Sequence, residues 1–120
     1  MQEANRWIPL YTSSRRVAAF MSYPYVFNTK GQWIGFVTPE GEVYNIHGHH
    51  VGFLDPDPRL ARILSRGEAD KRADVAPPPP PDFSPQPSWT VPLPPKPPPL
   101  PQDTIDILES APERLPPYEG

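Results

Sequence analysis

Residues 25–54 read YVFNTKGQWIGFVTPEGEVYNIHGHHVGFL, and this stretch contains one short pattern twice. When its first half is shifted by 17 residues, it falls on the second half with identical or similar residues at seven positions. The matched pairs are Val26 with Val43, Phe27 with Tyr44, Asn28 with Asn45, Gly31 with Gly48, Ile34 with Val51, Gly35 with Gly52, and Phe36 with Phe53. Such a short period indicates a small supersecondary unit that is used several times.

Two weaker copies flank this repeat. At 16 residues before the first copy, the matching positions hold Leu10, Tyr11, Ala19, Phe20 and Met21. At 17 residues beyond the second copy, Leu60 and Ile63 match Val43 and Ile46, which is about half a copy. One unit of this size cannot bury its apolar face alone, so the copies are predicted to pack together.

Each copy is predicted to form a β-hairpin. Residues 25–28 and 32–37 have the β-branched and aromatic composition of strands, and Thr29, Lys30 and Gly31 separate them. Gly31 can adopt the positive φ that tight hairpin turns require. By the same pattern, strands are predicted at 10–11 and 16–21 around Ser13 and Ser14, and at 42–45 and 49–54 around His47 and Gly48.

A small residue precedes an aromatic residue in every return strand. Gly35 and Gly52 occupy this position in two copies, and Ala19 occupies it in the weaker one. A glycine inside a strand indicates a bulge or the close approach of another backbone. The aromatic residues that follow, Phe20, Phe36 and Phe53, are predicted to lie in the core, filling the space around a pseudo-symmetry axis.

Residues 55–67 allow two interpretations. Asp57 as N-cap, Pro58 at the first helical position, and an apolar face at residues 60–64 would make a short helix. The repeat offset instead places residues 59–64 on the opening strand of a fourth unit. We favour the strand, because it would close the edge that three hairpins leave open.

The proline distribution divides the chain. Of the 22 prolines, 17 lie within residues 75–120, where apolar residues are too few to offset chain entropy. We predict a flexible N-terminus at 1–7, a β-hairpin repeat domain at 8–67, a charged linker at 68–76, and a proline-rich, largely disordered tail at 77–120. Prolines in such runs favour the extended polyproline II conformation.

The tail contains two features of its own. Trp89, with Val91 and Leu93, is predicted to lie against the β domain or a partner, because an isolated tryptophan is unfavourable in water. Residues 98–101 read PPLP, and the prolines and leucine there (Pro98, Pro99, Leu100 and Pro101) form the kind of polyproline II segment that aromatic grooves bind. A spacer, or a tail that wraps on its own domain, is the alternative that we favour.

The segments LYTSSRRVAAFM, YVFNTKGQWIGFV and EVYNIHGHHVGFL, followed by DPRLARIL, resemble the bacterial four-fold β-flower proteins. The resemblance covers about residues 8–66. It implies an all-β, pseudo-four-fold ring of hairpins with a period of 16–17 residues. The family brings no established activity and no catalytic residues. The fourth unit here lacks the turn glycine and the aromatic return strand.

Charge and composition exclude several function classes. Residues 1–74 carry nine Lys or Arg against eight Asp or Glu, and residues 75–120 carry two against six, so neither part has the basic balance that nucleic acids attract. No segment approaches the roughly 20 apolar residues that cross a bilayer. The chain contains no cysteine for a disulfide or a thiolate metal site. We expect a soluble, cytoplasmic protein that binds neither nucleic acid nor membrane.

Candidate chemistry is sparse. His47, His49 and His50 could bind zinc or copper, but the matching positions of the previous copy hold Lys30, Gln32 and Trp33, so an ordinary solvated turn is the favoured interpretation. Arg15 and Arg16 are likewise expected at a solvated hairpin end. Ser13 and Ser14 have no patterned His and Asp partners, and phosphate-binding glycine motifs are absent from the sequence. No cofactor and no enzymatic activity are predicted.

The aromatic residues allow two interpretations. Trp7, Tyr25 and Trp33 could form a binding face, although alternating aromatics on short strands are more often core. The predicted function is a non-enzymatic protein-interaction or structural module, with Trp33, Trp89 and the PPLP segment as its candidate contact residues. Its partner would be an unidentified protein or a second copy of the chain. The alternative is a small metal-binding protein that uses the histidines.

Overall fold

The computed structural model describes residues 7–84 and 93–119. Within these ranges the chain forms one antiparallel sheet of eight strands, curved into a half-barrel, in which each strand pairs with the next along the chain. The strands are β1 (Ile8–Tyr11), β2 (Val17–Ser22), β3 (Tyr25–Asn28), β4 (Trp33–Val37), β5 (Glu42–Asn45), β6 (His50–Leu54), β7 (Ile63–Ser65) and β8 (Ile105–Asp106). A single-turn helix, α1 (Ile107–Ser110), and 3-10 turns at Gly67–Asp70 and Pro112–Arg114 complete it. The all-β prediction is confirmed.

The first three hairpins, β1–β2, β3–β4 and β5–β6, turn in the same way. In the second hairpin the amide of Asn28 donates to the carbonyl of Gln32, and the Asn28 side chain accepts from the amides of Lys30 and Gln32. Asn45 makes the equivalent bonds in the third hairpin. In these three turns the residue with positive φ is Arg15 at 68°, Gly31 at 84° and Gly48 at 86°, respectively. The positive φ predicted for Gly31 is confirmed, Gly48 has the same conformation in the third hairpin, and the non-glycine residue Arg15 adopts it in the first.

Each of these hairpins also contains a shift in pairing register, located between Leu10 and Tyr11, between Val26 and Phe27, and between Val43 and Tyr44. The shift leaves an extra residue on the return strand, which is a β-bulge. Just beyond it, a Cβ atom on Gly35 would collide with the carbonyl of Tyr44, and one on Gly52 would collide with the carbonyl of Leu64. The predicted close backbone approach is confirmed at both glycines.

The sheet has an aliphatic face and an aromatic face. The aliphatic face forms the core cluster, which consists of Leu10, Ala19, Met21, Val26, Ile34, Val37, Val43, Val51, Ile63, Ile107, Leu108, Ala111 and Leu115. Phe20 and Phe36 are buried as predicted, yet they lie outside this cluster. Phe53 is half-buried, with the Arg66 guanidinium 5.0 Å from its ring centre. The prediction of core rings therefore holds for Phe20 and Phe36 and is wrong for Phe53, while the largest cluster of buried residues is aliphatic.

Residues 55–67 contain a strand, β7 (Ile63–Ser65), and the helix alternative is wrong. Ile63 and Leu64 pair with Leu54 and Phe53, while residues 58–60 make a turn. The strand is shorter than the predicted 59–64. The linker that follows is held to the sheet by an ion pair of 3.3 Å between Arg72 and Glu42, by a contact of 3.0 Å between Asp74 and His49, and by a hydrogen bond from the Val75 amide to the Gly48 carbonyl.

Residues 105–115 were predicted to belong to a largely disordered tail, but in the structure they fold with the sheet. The folded domain therefore does not end at residue 67. Strand β8 pairs with β7, and α1 follows it directly. Ile107, Leu108 and Leu115 are buried among the aliphatic residues of the hairpins. These apolar groups leave water on contact with the sheet, which stabilises a segment too short to fold alone.

Strands β1 and β8 are the two edges of the sheet, and side chains connect them. The amide and the hydroxyl of Ser13 both donate to Asp106 Oδ2, each at 2.7 Å. Arg62 donates to Ser13 Oγ at 2.9 Å and forms an ion pair with Asp55 at 2.7 Å. The Asp106 and Arg62 residues are 2% and 4% exposed. We call Ser13, Asp55, Arg62 and Asp106 the edge network.

Two further contacts reinforce the edge network. The Tyr11 amide donates to the carbonyl of Ala61 at 2.9 Å. The Ser14 amide donates to Glu109, as does the Ser14 hydroxyl, and these hydrogen bonds to Ser14 hold the pKa of the Glu109 carboxyl below its usual value. Asp106 also caps α1 by accepting from the Glu109 amide at 3.2 Å. The C-terminal segment is therefore bound to the first hairpin turn by several charge-assisted hydrogen bonds.

We expect Asp106→Ala to lower the free energy of unfolding by about 3 kcal/mol, because it removes a helix cap and leaves the amide and hydroxyl of the half-buried Ser13 without their acceptor. Urea unfolding followed by circular dichroism measures this loss. Glu113→Ala, an exposed acid on the following 3-10 turn, is the matched control and should change stability little. Equal losses in the two variants would contradict the structural role of the edge network.

Candidate functional site

The aromatic face of the sheet is the candidate site. Strand pairing aligns Phe20, Phe27 and Trp33 across three strands, and Tyr25 lies on the same face two residues from Phe27. The ring centres of Tyr25 and Trp33 are 5.9 Å apart, and those of Trp7 and Phe27 are 5.4 Å apart, both edge to face. These separations are those of favourable aromatic pairs, so the rings form one continuous apolar surface.

The proline-rich segment at 77–84 lies across this surface. Phe83 contacts three of its rings, with centre separations of 5.9 Å to Trp7, 5.7 Å to Tyr25 and 5.7 Å to Phe27. The Tyr25 hydroxyl donates to the carbonyl of Pro79 at 2.8 Å. The face therefore holds an extended segment by ring contacts and by a hydrogen bond to its backbone.

A second segment reaches the same surface from the C-terminal end of the chain. The Tyr118 ring lies 5.2 Å from that of Trp33, and its amide donates to the Trp33 carbonyl at 2.8 Å. Between Tyr118 and Phe83 a surface cleft of about 350 Å³ opens, lined by Phe27, Gln32, Trp33 and Pro81 among others. Two separate parts of the chain thus converge on Trp33.

Trp33 serves as the floor of this site. Its residue is 6% exposed, and its indole nitrogen donates to the carbonyl of Gly35 at 2.8 Å. Trp33 is therefore open to a partner only where it lines the cleft between Tyr118 and Phe83. Sequence reasoning singled out Trp33 but missed Phe83 and Tyr118. The signal was available, since each is an isolated aromatic residue among prolines, which is the argument applied to Trp89.

Trp89 and Val91 lie outside the described residues, which exclude 85–92. Leu93, predicted to pack with them, is 68% exposed. Of the PPLP segment, Pro98, Pro99 and Pro101 are exposed, and Leu100 is half-buried. Of the predicted contact residues that the structure describes, Trp33 is buried in the domain and the PPLP prolines lie at its surface.

His47 and His49 lie beside each other, with ring centres 6.2 Å apart, and His50 has other partners. His47 is exposed at the third hairpin turn, and His49 Nδ1 lies 3.0 Å from Asp74. The His50 side chain is 2% exposed, with Nε2 at 2.7 Å from Glu42, and its ring contacts Tyr44 at 5.2 Å. Burial and the nearby Glu42 carboxylate raise the pKa of the Tyr44 hydroxyl. In the part of the chain that the structure describes, no three His, Cys, Asp or Glu side chains are grouped so that they could hold a metal ion.

The remaining candidates have structural partners. Arg15 donates to the carbonyl of Pro94 from Nε at 3.1 Å and from Nη2 at 2.9 Å, so it binds the tail and is not the solvated residue that we predicted. Arg16 is exposed. Ser13 and Ser14 bind Asp106 and Glu109 in the contacts that join the sheet edges.

Comparisons of the chain with family models, with curated proteins and with solved structures find no match. Among residues 7–84 and 93–119, no helix has the length and apolar character needed to span a membrane.

We expect Phe83→Ala to lower the free energy of unfolding by about 2 kcal/mol, because Phe83 is half-buried and loses three aromatic contacts. Leu93→Ala is the matched control, since Leu93 is largely exposed and should leave stability unchanged. Thermal unfolding of both full-length variants tests this expectation. A Phe83→Ala variant as stable as the wild type would show that the segment is not bound to the aromatic face in solution.

Proposed function

We propose that this protein is a non-enzymatic protein-interaction module whose aromatic face binds extended, proline-rich segments. The observation that carries the proposal is the seating of the chain's own segment, in which Phe83 packs among three rings while Pro79 accepts a hydrogen bond from Tyr25. Polyproline II peptides are likewise bound in grooves lined by aromatic rings.

In this proposal the internal segment competes with the partner. A segment tethered to its own domain has an effective concentration of the order of millimolar, so a weakly bound partner would be excluded. The partner is then either a protein whose extended proline-rich segment carries an aromatic residue, or a second copy that exchanges its own segment. Both fit the earlier expectation of a protein partner or self-association.

We further propose that the fold is the pseudo-four-fold ring implied by the resemblance to the four-fold β-flower proteins. Support comes from the hairpin turns, whose positive-φ residues are Arg15, Gly31 and Gly48, and from the bulges that follow them. In this arrangement β7 and β8 are the fourth hairpin, and residues 66–104 replace its turn. The proline-rich segment is then an insertion in the last unit. The proposed location of the protein is the cytoplasm.

The alternative function, metal binding through His47, His49 and His50, has less support. His49 lies beside Asp74, whereas His50 lies beside Glu42, so the two rings have different carboxylate partners. A metal site that used all three histidines would require the His50 ring to converge with the other two.

A peptide with the sequence of residues 76–84, labelled with fluorescein, tests the proposed function in full-length chains. We expect saturable binding to the Phe83→Ala variant, whose own segment no longer fills the face. Binding to the wild type should be at least about tenfold weaker, because the internal segment competes. Fluorescence anisotropy measures both affinities, and circular dichroism establishes that the variant is folded.

Two controls make the result specific. The Leu93→Ala chain keeps its own segment and should bind as weakly as the wild type. A peptide in which alanine replaces Phe83 should lose affinity for the Phe83→Ala chain. Binding of the unaltered peptide to neither chain, or to both chains equally, would refute the aromatic face as a peptide-binding site.

A further inference from the structure

The exposure of residues 94–101 follows a period of three. Pro94 is buried, Pro97 and Leu100 are half-buried, and the residues between them are exposed. A polyproline II helix has three residues per turn, so one of its edges faces the domain and two edges face solvent. Pro95, Pro98 and Pro101 share one solvent edge, and Lys96 and Pro99 share the other.

This helix is held at both ends. At its start, the two hydrogen bonds from Arg15 fix the Pro94 carbonyl to the first hairpin turn. At its end, the Thr104 amide donates to the Pro101 carbonyl at 3.1 Å, and β8 begins at the next residue. The segment is therefore ordered before any partner arrives, so less conformational entropy is lost when one binds.

We propose that residues 95–101 are a preformed ligand for a partner protein with an aromatic groove that binds polyproline II helices. Such grooves take two prolines spaced three residues apart, and the edge formed by Pro95, Pro98 and Pro101 presents this spacing twice. Lys96, on the adjacent edge, would meet an acidic side chain beside the groove. This site is separate from the aromatic face and shares no residue with it, so either one can fail without the other.

The test uses three isotope-labelled probes, a WW, an SH3 and an EVH1 domain, each titrated with the full-length protein and followed by NMR chemical shifts. We expect at least one probe to bind. Replacing Pro98 and Pro101 together by alanine should weaken that binding about tenfold, because only Pro95 then remains on this edge and no pair of prolines with the required spacing is left.

Pro97→Ala is the matched control, since Pro97 lies on the edge that faces the domain, and it should leave the affinity nearly unchanged. In a free peptide of residues 93–104 every edge is accessible, so this difference between edges should disappear. Arg15→Ala should lower the affinity of the full chain towards that of the peptide. Failure of all three probes to bind, or equal effects of the two edges in the folded protein, would overturn the proposal.

Discussion

The hydrogen bonds between Asp106 and Ser13 are the constraint on which the rest of the molecule depends. A half-barrel has two open edges, and here a buried carboxylate, a serine and the ion pair of Arg62 with Asp55 connect them. Buried charges of this kind persist only when they are fully hydrogen-bonded, which makes the network specific for one arrangement of the chain. The edge network holds β8 beside the first hairpin turn. It thereby places the described residues that follow β8, 107–119, against the domain.

The sheet has two apolar faces, and six hairpin strands cannot cover either of them. A domain of about 60 residues buries only about 60% of the surface that its unfolded chain exposes, so extra covering is needed. The tail covers both faces. Ile107, Leu108 and Leu115 cover the aliphatic face, and Phe83 and Tyr118 cover the aromatic face. The tail is thus part of the fold as well as the element that occupies the candidate site.

The parts of the structure that depend on local chemistry could be predicted from the sequence. Gly31 and Gly48 mark turns, and Gly35 marks a position where only a hydrogen atom fits, so the second and third hairpins follow from residue type and period. Strand β8 could not be found in this way, because a pair of residues carries no periodicity and its partner lies on the far side of the proline-rich segment. The histidine environments were also beyond reach, since Glu42 and Asp74 approach His50 and His49 only through strand pairing and the path of the linker.

The pairing of β7 with β8 across residues 66–104 also sets the order in which the chain assembles. Contacts within each hairpin join residues that are close in sequence and form quickly, whereas the β7–β8 contact must close a long loop and forms late. On the ribosome, residues 105–115 are synthesised after all the hairpin strands, so the hairpins first exist with their aliphatic face open to water. Such intermediates are prone to aggregate. The nascent domain is therefore most exposed to aggregation before Leu115 has left the ribosome.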